Sequence, residues 1–513
     1  MAMRRPLLLL PMSLALGCQA ILGLDEGKDK PASSTTSTTS TTSTTSTSVT
    51  TGTGGSGGST GMGGAGGTTT TSGAGGTGGT GGATTTSGTG GMGGALTGTG
   101  GAGGTMTGTG GMGGAATTTT TTTTGTGGAP PTCNDGIKNG SETDIDCGAG
   151  CPGCALGKTC AQNSDCQTGD CFAGSCGAVL ILAGGNAASM LGAELKPNGT
   201  YAVNALNEAT SFGPALAITT AGQGVALLRK NGTGDLRYVT WSAGQWGALA
   251  NVGPAVTTRE QPSLVTAGTG ARAVFHGDNF KHYFSAWDGA TWTIQAETVG
   301  PVASQSAGPS PPVLVSSPSF PAGAEATVAF IADAVNKPYA RNRTGGVWDA
   351  AQLVDGTATN FNLSPAMVAL TSGPELLLVW MRNDNQVLYA TRSNGVWSAA
   401  ATVPSAFTAS RAALSALPGG GAMLAFQGTD NFLYYAVYTG GAWGQVLPFS
   451  APNVALAGPP AVARGVGGAT AEMAFVKSAD SIVYHTRLVG NAWMVPVMVG
   501  GSSMTRVAIA SAP

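Results

Sequence analysis

The stretch that decides the fold is Leu376-Leu-Leu-Val-Trp-Met-Arg-Asn-Asp-Asn-Gln-Val-Leu-Tyr389-Ala-Thr-Arg-Ser-Asn-Gly-Val-Trp397. It joins an apolar run to a turn of Asp and Asn, then to a segment centred on Tyr389 and a closing Gly-x-Trp. A continuous apolar run of this length is typical of a strand that is buried on both faces. Asp and Asn favour a turn because their short side chains tolerate left-handed backbone. The stretch therefore predicts two antiparallel strands joined by a hairpin.

The same pattern recurs along the C-terminal part of the chain. A weaker copy, Leu191 to Tyr201, comes first and brings the number of units to seven. A period of about 45–50 residues with several short strands per unit is typical of a β-propeller. We predict an all-β, seven-bladed β-propeller over residues 178–513, with six blades as the alternative if the first unit is a cap. The closing Trp residues are Trp246, Trp292, Trp348, Trp397, Trp443 and Trp493, spaced 46, 56, 49, 46 and 50 residues apart.

The two ends of this region complement one another. Thr505 to Ala510 has the pattern of an opening strand but has no unit of its own, while the first unit starts at Ala178 without an opening strand. We predict that the C-terminal strand completes the N-terminal blade, which removes an open sheet edge.

A cysteine-rich module precedes the propeller, over residues 132–177. Its even number of Cys residues, in a chain with an export signal, predicts four disulfides, and eight Cys residues allow 105 pairings. Its first segment, Cys133 to Cys147, resembles the Cys-rich modules of large bacterial surface proteins. Weak calcium candidates are Asp135, Asp144 and Asp146, although no EF-hand spacing is present. The eight are Cys133, Cys147, Cys151, Cys154, Cys160, Cys166, Cys171 and Cys176.

The N-terminus predicts export. Arg4 and Arg5 precede an apolar run, Leu7 to Leu16, that is too short to span a bilayer and has the features of a signal peptide. The run ends in Ala15-Leu16-Gly17-Cys18, which resembles a bacterial lipobox over residues 1–18. That resemblance implies acylation of Cys18 and an outer-membrane lipoprotein, which would contact the membrane through the lipid anchor alone.

Residues 19–131 are predicted to be a disordered tether. From residue 31 onward they are almost entirely Thr, Ser, Gly and Ala, a composition that cannot bury enough apolar surface to offset chain entropy. A flexible chain of this length has an end-to-end reach of about 55 Å. We therefore expect a folded head held away from the membrane.

The Tyr…Gly-x-Trp units resemble those of propeller lectins, the fucose-specific type and its seven-bladed relatives, and also those of sialidase-type propellers. In the lectins, an Arg, a Glu and an aromatic residue hold the sugar between blades. No Glu recurs at a fixed place in these units, so that triad is not reproduced. Large side chains do follow each Tyr, and aromatic faces and guanidinium groups suit sugars. The ligand-binding candidates are Trp241, Trp287, Arg343, Arg392, Tyr438 and Arg487.

These patterns favour a lipid-anchored, lectin-like recognition protein whose partners are glycans, with a protein-binding adhesion scaffold as the alternative. A propeller glycoside hydrolase is less favoured, because that chemistry needs paired carboxylates and Glu is sparse. The net charge of -2, with only 9% charged residues, argues against nucleic acid as a partner. We expect a monomeric head that needs no cofactor, calcium excepted.

Overall fold

The computed structural model describes residues 98–99, 105–106, 133–185, 189–210, 212–279, 281–293, 299, 310–316, 324–332, 335–357, 359–360, 363–450 and 452–512. The predicted signal peptide, Cys18 and nearly all of the predicted tether lie outside these residues. The chain divides into two compact units, Met1–Thr120 and Thr121–Pro513. In the first, the short strands Gly98–Thr99 and Thr105–Met106 pair antiparallel. Within the described residues, no helix is long and apolar enough to cross a membrane.

The second unit contains seven antiparallel sheets of four or five strands, which are the seven blades of a propeller. We number them from the N-terminus, so that blade 1 contains the first strand after the cysteine-rich module. The first strands of blades 2 to 7 are Ala215–Ile218, Ser263–Ala267, Val313–Val315, Ala366–Ala369, Ala413–Ala416 and Ala461–Arg464. The second strands of blades 1 to 7 are Ala178–Gly184, Gly224–Arg229, Gly270–His276, Ala324–Ala332, Leu376–Met381, Ala422–Gln427 and Ala469–Val476.

The outer part of blades 2 to 7 holds the segment centred on Tyr and the closing Trp, and blade 1 has neither a Tyr in its third strand nor a closing Trp. The third strands of blades 1 to 7 are Met190–Leu195, Leu236–Ser242, His282–Trp287, Lys337–Thr344, Gln386–Ser393, Leu433–Thr439 and Val483–Val489. The fourth strands are Tyr201–Leu206, Gln245–Trp246 with Ala250–Asn251, Trp292–Thr293, Val347–Trp348 with Gln352–Leu353, Val396–Trp397 with Ala401–Phe407, Ala442–Trp443 with Leu447–Pro448, and Ala492–Trp493 with Val497–Gly500.

The ring closes as predicted. The last strand, Arg506–Ala512, pairs antiparallel with Ala178–Gly184 and so supplies the first strand of blade 1, with Ile509 opposite Ile181. Each first strand lies beside the first strands of the two neighbouring blades, and together the seven surround a central channel. The seven-bladed prediction is confirmed, and the first unit is a blade rather than a cap.

The core lies between the blades, because each second strand sends alternate side chains to its two neighbours. In blade 5, Leu377 and Val379 pack in a cluster with blade 6, whereas Leu376, Leu378 and Trp380 pack in a cluster with blade 4. All six residues of this strand are buried. This two-sided burial explains the continuous apolar run in the sequence.

The cysteine-rich module forms four disulfides, as predicted. Its regular elements are the 3-10 turn Asn163–Asp165 and the strands Cys171–Phe172 and Ser175–Cys176. The sequence left the pairing open, and the structure pairs Cys133 with Cys151, Cys147 with Cys154, Cys160 with Cys171, and Cys166 with Cys176.

The module rests on one end of the propeller. Phe172 is buried in the cluster between blades 7 and 1. It lies so close to the loop between the first two strands of blade 7 that a Cβ on Gly467 would be 2.7 Å from its own Cβ. We call this the module end. The turns between second and third strands lie at the opposite end, which we call the hairpin end.

Candidate functional site

Five of the six predicted ligand-binding residues share one position in their blades. Each lies directly opposite the closing Trp of its blade and points towards the preceding blade. The guanidinium of Arg343, for example, lies 4.6 Å from the centre of the Phe284 ring in blade 3. The opposed pairs are Trp241 with Trp246, Trp287 with Trp292, Arg343 with Trp348, Arg392 with Trp397, and Tyr438 with Trp443.

These side chains form part of the packing between blades. Trp241 is 0% exposed, Arg392 1% and Tyr438 3%, and Trp287 is also buried. Arg343 is half-buried. The ring of Tyr438 packs 6.2 Å from that of Tyr389 in blade 5. Their position therefore gives them a packing role, and their part in ligand binding stays a prediction.

Arg487 does not share that position, although it follows Tyr484 by three residues as Arg392 follows Tyr389. In blade 7, Leu488 lies opposite Trp493. The reason is the register: Tyr484 pairs with Phe475, as Tyr434, rather than Tyr435, pairs with Phe426. Arg487 is consequently turned to the other face of the strand, where its guanidinium lies 6.0 Å from the ring of Phe172 in the module.

A Glu binds an Arg in three blades, although it holds no fixed place in the units. Glu325, Glu375 and Glu472 all lie near the start of a second strand, and each binds an Arg of the adjacent third strand. Glu375 lies 3.1 Å from Arg392, Glu472 lies 2.9 Å from Arg487, and Glu325 binds Arg343. The separations along the chain are 17, 15 and 18 residues. Because turn length and register differ among blades, no fixed spacing revealed these pairs.

The blade 7 pair belongs to a buried network that joins blades 7 and 1. His485 lies 3.2 Å from Glu472 through Nε2 and 2.8 Å from the Tyr201 hydroxyl through Nδ1. Burial, and secondly the charge of Glu472, raise the pKa of Tyr201 well above its usual range. His485 and Glu472 have almost no exposed surface. This network stabilises the blade interface, and its His485 and Glu472 side chains are closed to ligands.

An open pocket lies between blades 2 and 3 at the hairpin end. Its volume is about 360 Å³. Val252 and Val256 from blade 2 form one wall, and Phe275 and Tyr283 from blade 3 form the other. The rings of Phe275 and Tyr283 are stacked, with their centres 5.7 Å apart. The pocket therefore offers an aromatic and aliphatic surface to a small ligand.

Polar groups at the mouth of this pocket come from the hairpin of blade 3. Asp278 and Asn279 line it, and the Asn279 amide donates to the Tyr283 hydroxyl over 2.5 Å. A Cβ on Gly277 would lie 2.6 Å from the Tyr283 ring, so glycine is required for the hairpin to approach the ring this closely. Asp278 is exposed, and its carboxylate is available to accept hydrogen bonds from a ligand.

A second pocket of the same construction lies between blades 5 and 6. Its volume is about 220 Å³, and Phe407 of blade 5 faces Phe426 and Tyr434 of blade 6. Those two rings are stacked with centres 5.8 Å apart, and the Tyr434 hydroxyl donates to Asp430 over 2.7 Å. That hydrogen bond is the main cause of the raised pKa of Tyr434. Both pockets combine one stacked Phe–Tyr pair with one hairpin carboxylate, facing the outer edge of the preceding blade. The carboxylate binds the Tyr hydroxyl in blade 6, whereas in blade 3 Asn279 has that place and Asp278 precedes it.

Blade 7 has the same trio with its ring face occupied. Phe475 and Tyr484 are stacked, and the Tyr484 hydroxyl donates to Asp480 over 2.8 Å. Here the Lys477 ammonium lies 3.7 Å from the centre of the Tyr484 ring, which is within the range of a cation–π contact. The copies around the ring are thus related but unequal.

The calcium candidates of the module hold its turns. Asp146 accepts hydrogen bonds from the backbone N–H groups of Asp135 and Gly136, and Asp144 accepts one from Thr159. The backbone N–H of Thr159, followed by that of Ile145, lowers the pKa of Asp144. The proposed role of Asp135, Asp144 and Asp146 as calcium ligands stays a prediction.

No protein-family model matches the chain, and no curated protein matches it. Among solved structures, it is similar to the BP39L lectin from Burkholderia pseudomallei, with a TM-score of 0.53 and 12% identity over 64% of this chain and 97% of that one. AofleA from Arthrobotrys oligospora has a TM-score of 0.42 at 13% identity, over 58% and 88% of the two chains. The six-bladed Aleuria aurantia lectin has a TM-score of 0.40 at 15% identity, over 56% and 96%. At these identities the likeness concerns the propeller fold.

Proposed function

We propose that the propeller is a carbohydrate-binding head that holds sugars in the interblade pockets at its hairpin end. The observation that carries the proposal is the repeated trio of a stacked Phe–Tyr pair and a hairpin carboxylate, open between blades 2 and 3 and between blades 5 and 6. Aromatic side chains supply flat apolar area beside a polar hydroxyl, which suits the C–H face of a sugar ring. A carboxylate accepts up to four hydrogen bonds, which suits neighbouring sugar hydroxyls.

The size of the pockets limits the ligand. About 360 Å³ is near the lower end of the range for small-molecule sites, and the 220 Å³ of the second pocket lies below it. Each pocket therefore takes about one sugar ring, with the rest of a glycan extending into solvent. Single-site affinity is expected to be weak, and unequal copies around one ring gain strength on a multivalent surface when several sites engage together.

The proposed activity is binding rather than hydrolysis. Glycoside hydrolysis needs two carboxyl groups that flank the scissile bond. Glu325, Glu375 and Glu472 are each held by an Arg of their own blade, and each open pocket offers one hairpin carboxylate. Arg343 and Arg487 are half-buried rather than fully buried. The proposal therefore keeps both as candidates for hydrogen bonds to a sugar.

The proposal includes display at a cell surface. We infer this from the lipobox-like segment ending at Cys18 and from the Thr-, Ser- and Gly-rich composition up to residue 131. Acylation of Cys18 would anchor the chain in the outer membrane, and the tether would let several heads reach glycans on an opposing surface.

A protein-binding scaffold is the second candidate, and one observation favours it. The outer edge of blade 7 exposes four large apolar side chains, with Val495 84% exposed. Exposed apolar residues that lie together mark surfaces for protein contact. The other three are Met494, Val497 and Met498.

A glycan array probed with the full-length protein tests the proposal. The informative variant is Asp278→Asn, which keeps the size of the side chain and the turn while removing the charge in the open pocket. The matched control is Asp480→Asn, which removes the hairpin carboxylate of blade 7, where Lys477 covers the ring. We expect the first variant to lose affinity for the bound glycan and the control to keep it. An array without any bound glycan, or equal binding by both variants, would favour the scaffold.

A further inference from the structure

A different cavity lies on the axis of the propeller. It has a volume of about 220 Å³ and is lined by the first strands of all seven blades and the residues that precede them. Several of these are prolines, which have no backbone N–H to offer a ligand. Arg411, just before the first strand of blade 6, is the one charged side chain among its described lining residues.

A second arginine, Arg506, directly precedes Val507, which lines the same cavity, and its charge acts on Arg411. Arg506 begins the closing strand of blade 1. Its Nη1 packs so tightly against the chain before blade 7 that a Cβ on Gly458 would lie 2.7 Å away. Burial, and secondly the charge of Arg506, lower the pKa of Arg411 to about 10, and burial lowers the pKa of Arg506. Both side chains are half-buried and remain positively charged at neutral pH.

These two cations differ from the other half-buried or buried arginines of the blades. Arg343, Arg392 and Arg487 each bind a Glu. Within the described part of the chain, the guanidinium groups of Arg411 and Arg506 make no ion pair or hydrogen bond, and no carboxylate acts on the pKa of either. Glu260 directly precedes Gln261, which lines the channel. Its carboxylate interacts electrostatically with Arg229 and Arg259 instead.

We propose that the mouth of the central channel binds a small oxyanion, a carboxylate or phosphate group, between Arg411 and Arg506. Two like charges near one another and partly shielded from water destabilise the charged state of both. An anion between them replaces that repulsion with charge-assisted hydrogen bonds, which are stronger than neutral ones. The planar guanidinium fork matches both carboxylate and phosphate oxygens. The proposal is independent of the interblade pockets, which use none of these residues.

The test is a titration of the full-length protein with inorganic phosphate and, separately, with sodium glucuronate, at an ionic strength held constant with sodium chloride. The variants are Arg411→Gln and Arg506→Gln. The matched control is Arg382→Gln, which removes an exposed arginine that pairs with Asp384 in a hairpin of blade 5. We expect at least one of the two anions to bind the unaltered protein and the control, with affinity at least tenfold weaker in each channel variant.

The melting temperature without added oxyanion separates a binding role from a structural one. If the two arginines form an anion site, replacing either one removes the repulsion between their charges. The melting temperature then stays the same or rises. A response to phosphate alone would assign a phosphate-type ligand, and a response to glucuronate alone a carboxylate. The proposal is overturned if neither anion binds, if the variants bind as the unaltered protein does, or if both variants melt lower than the control.

Discussion

Replacing Ile509 with alanine should weaken the closure of the ring. Ile509 lies in the closing strand opposite Ile181 and is buried in the cluster between blades 7 and 1. Truncating a buried Ile to Ala removes apolar contacts and leaves a cavity, which costs about 2–5 kcal/mol. For a propeller of this size, each kcal/mol corresponds to a change in melting temperature of about 2 °C. We therefore expect Ile509→Ala to melt about 4–10 °C lower.

Thermal unfolding followed by circular dichroism measures this shift. The matched control is Val497→Ala, which truncates an exposed apolar side chain on the outer edge of blade 7 and should change stability by less than about 0.5 kcal/mol. Deleting residues 505–513 is the stronger perturbation, because it exposes the edge of Ala178–Gly184, whose seven residues are all buried. We expect that variant to aggregate or to melt far lower. Equal melting of Ile509→Ala and Val497→Ala would refute the argument that this strand closes the ring.

Three further predictions follow from single residues. Cys18→Ala should abolish labelling by a fatty-acid analogue in cells, and equal labelling of the variant would contradict acylation at Cys18. Burial, and secondly the hydrogen bond that the protonated Glu194 carboxyl donates to Asp170, raise the pKa of Glu194 to about 8, so folding binds a proton and the protein loses stability as the pH rises from about 4.5 to 8. Melting temperatures across that range should fall less steeply in Glu194→Gln, and parallel curves would mean that Glu194 is ionised in the folded state. Arg392→Ala should cost on the order of 3 kcal/mol, because it leaves Glu375 without its partner in the interface with blade 4, and an unchanged melting temperature would show that the pair is not structural.

The number of blades and their closure were predictable from the sequence because they depend on a long period. Six of the seven units carry an apolar run and a closing Trp at similar spacing, so errors of one or two residues do not alter the count. Closure followed from the unmatched segment after residue 504. The four disulfides followed from an even Cys count, but their pairing depends on how the module folds.

The candidate site was less predictable because it combines residues from different units. Asp278 and Asn279 were recognisable as turn residues, yet their place beside Val252 follows only from how blade 2 packs on blade 3. The shift of Arg487 by one residue arose because Tyr484 matches Tyr434 rather than the adjacent Tyr435. A one-residue difference in register turns a side chain to the opposite face of a strand. Aligning the units by strand pairing rather than by their Tyr residues would have placed Arg487 on the correct face of its strand.

The placement of the cysteine-rich module has a mechanical consequence. The module directly precedes Ala178–Gly184, the strand on which the closing strand pairs, so a pull on the chain at Cys133 reaches the propeller at its seam. The four disulfides keep the module from extending under load, and the contact of Phe172 with Val466 in blade 7 and the ion pair of Asp170 with Lys196 in blade 1 share the force between two blades. A pulling force is thereby distributed over packed side chains before it separates any strand of blade 1 from its neighbours. A head held by its N-terminus under shear would keep its ring closed at the point where the two ends of the chain meet.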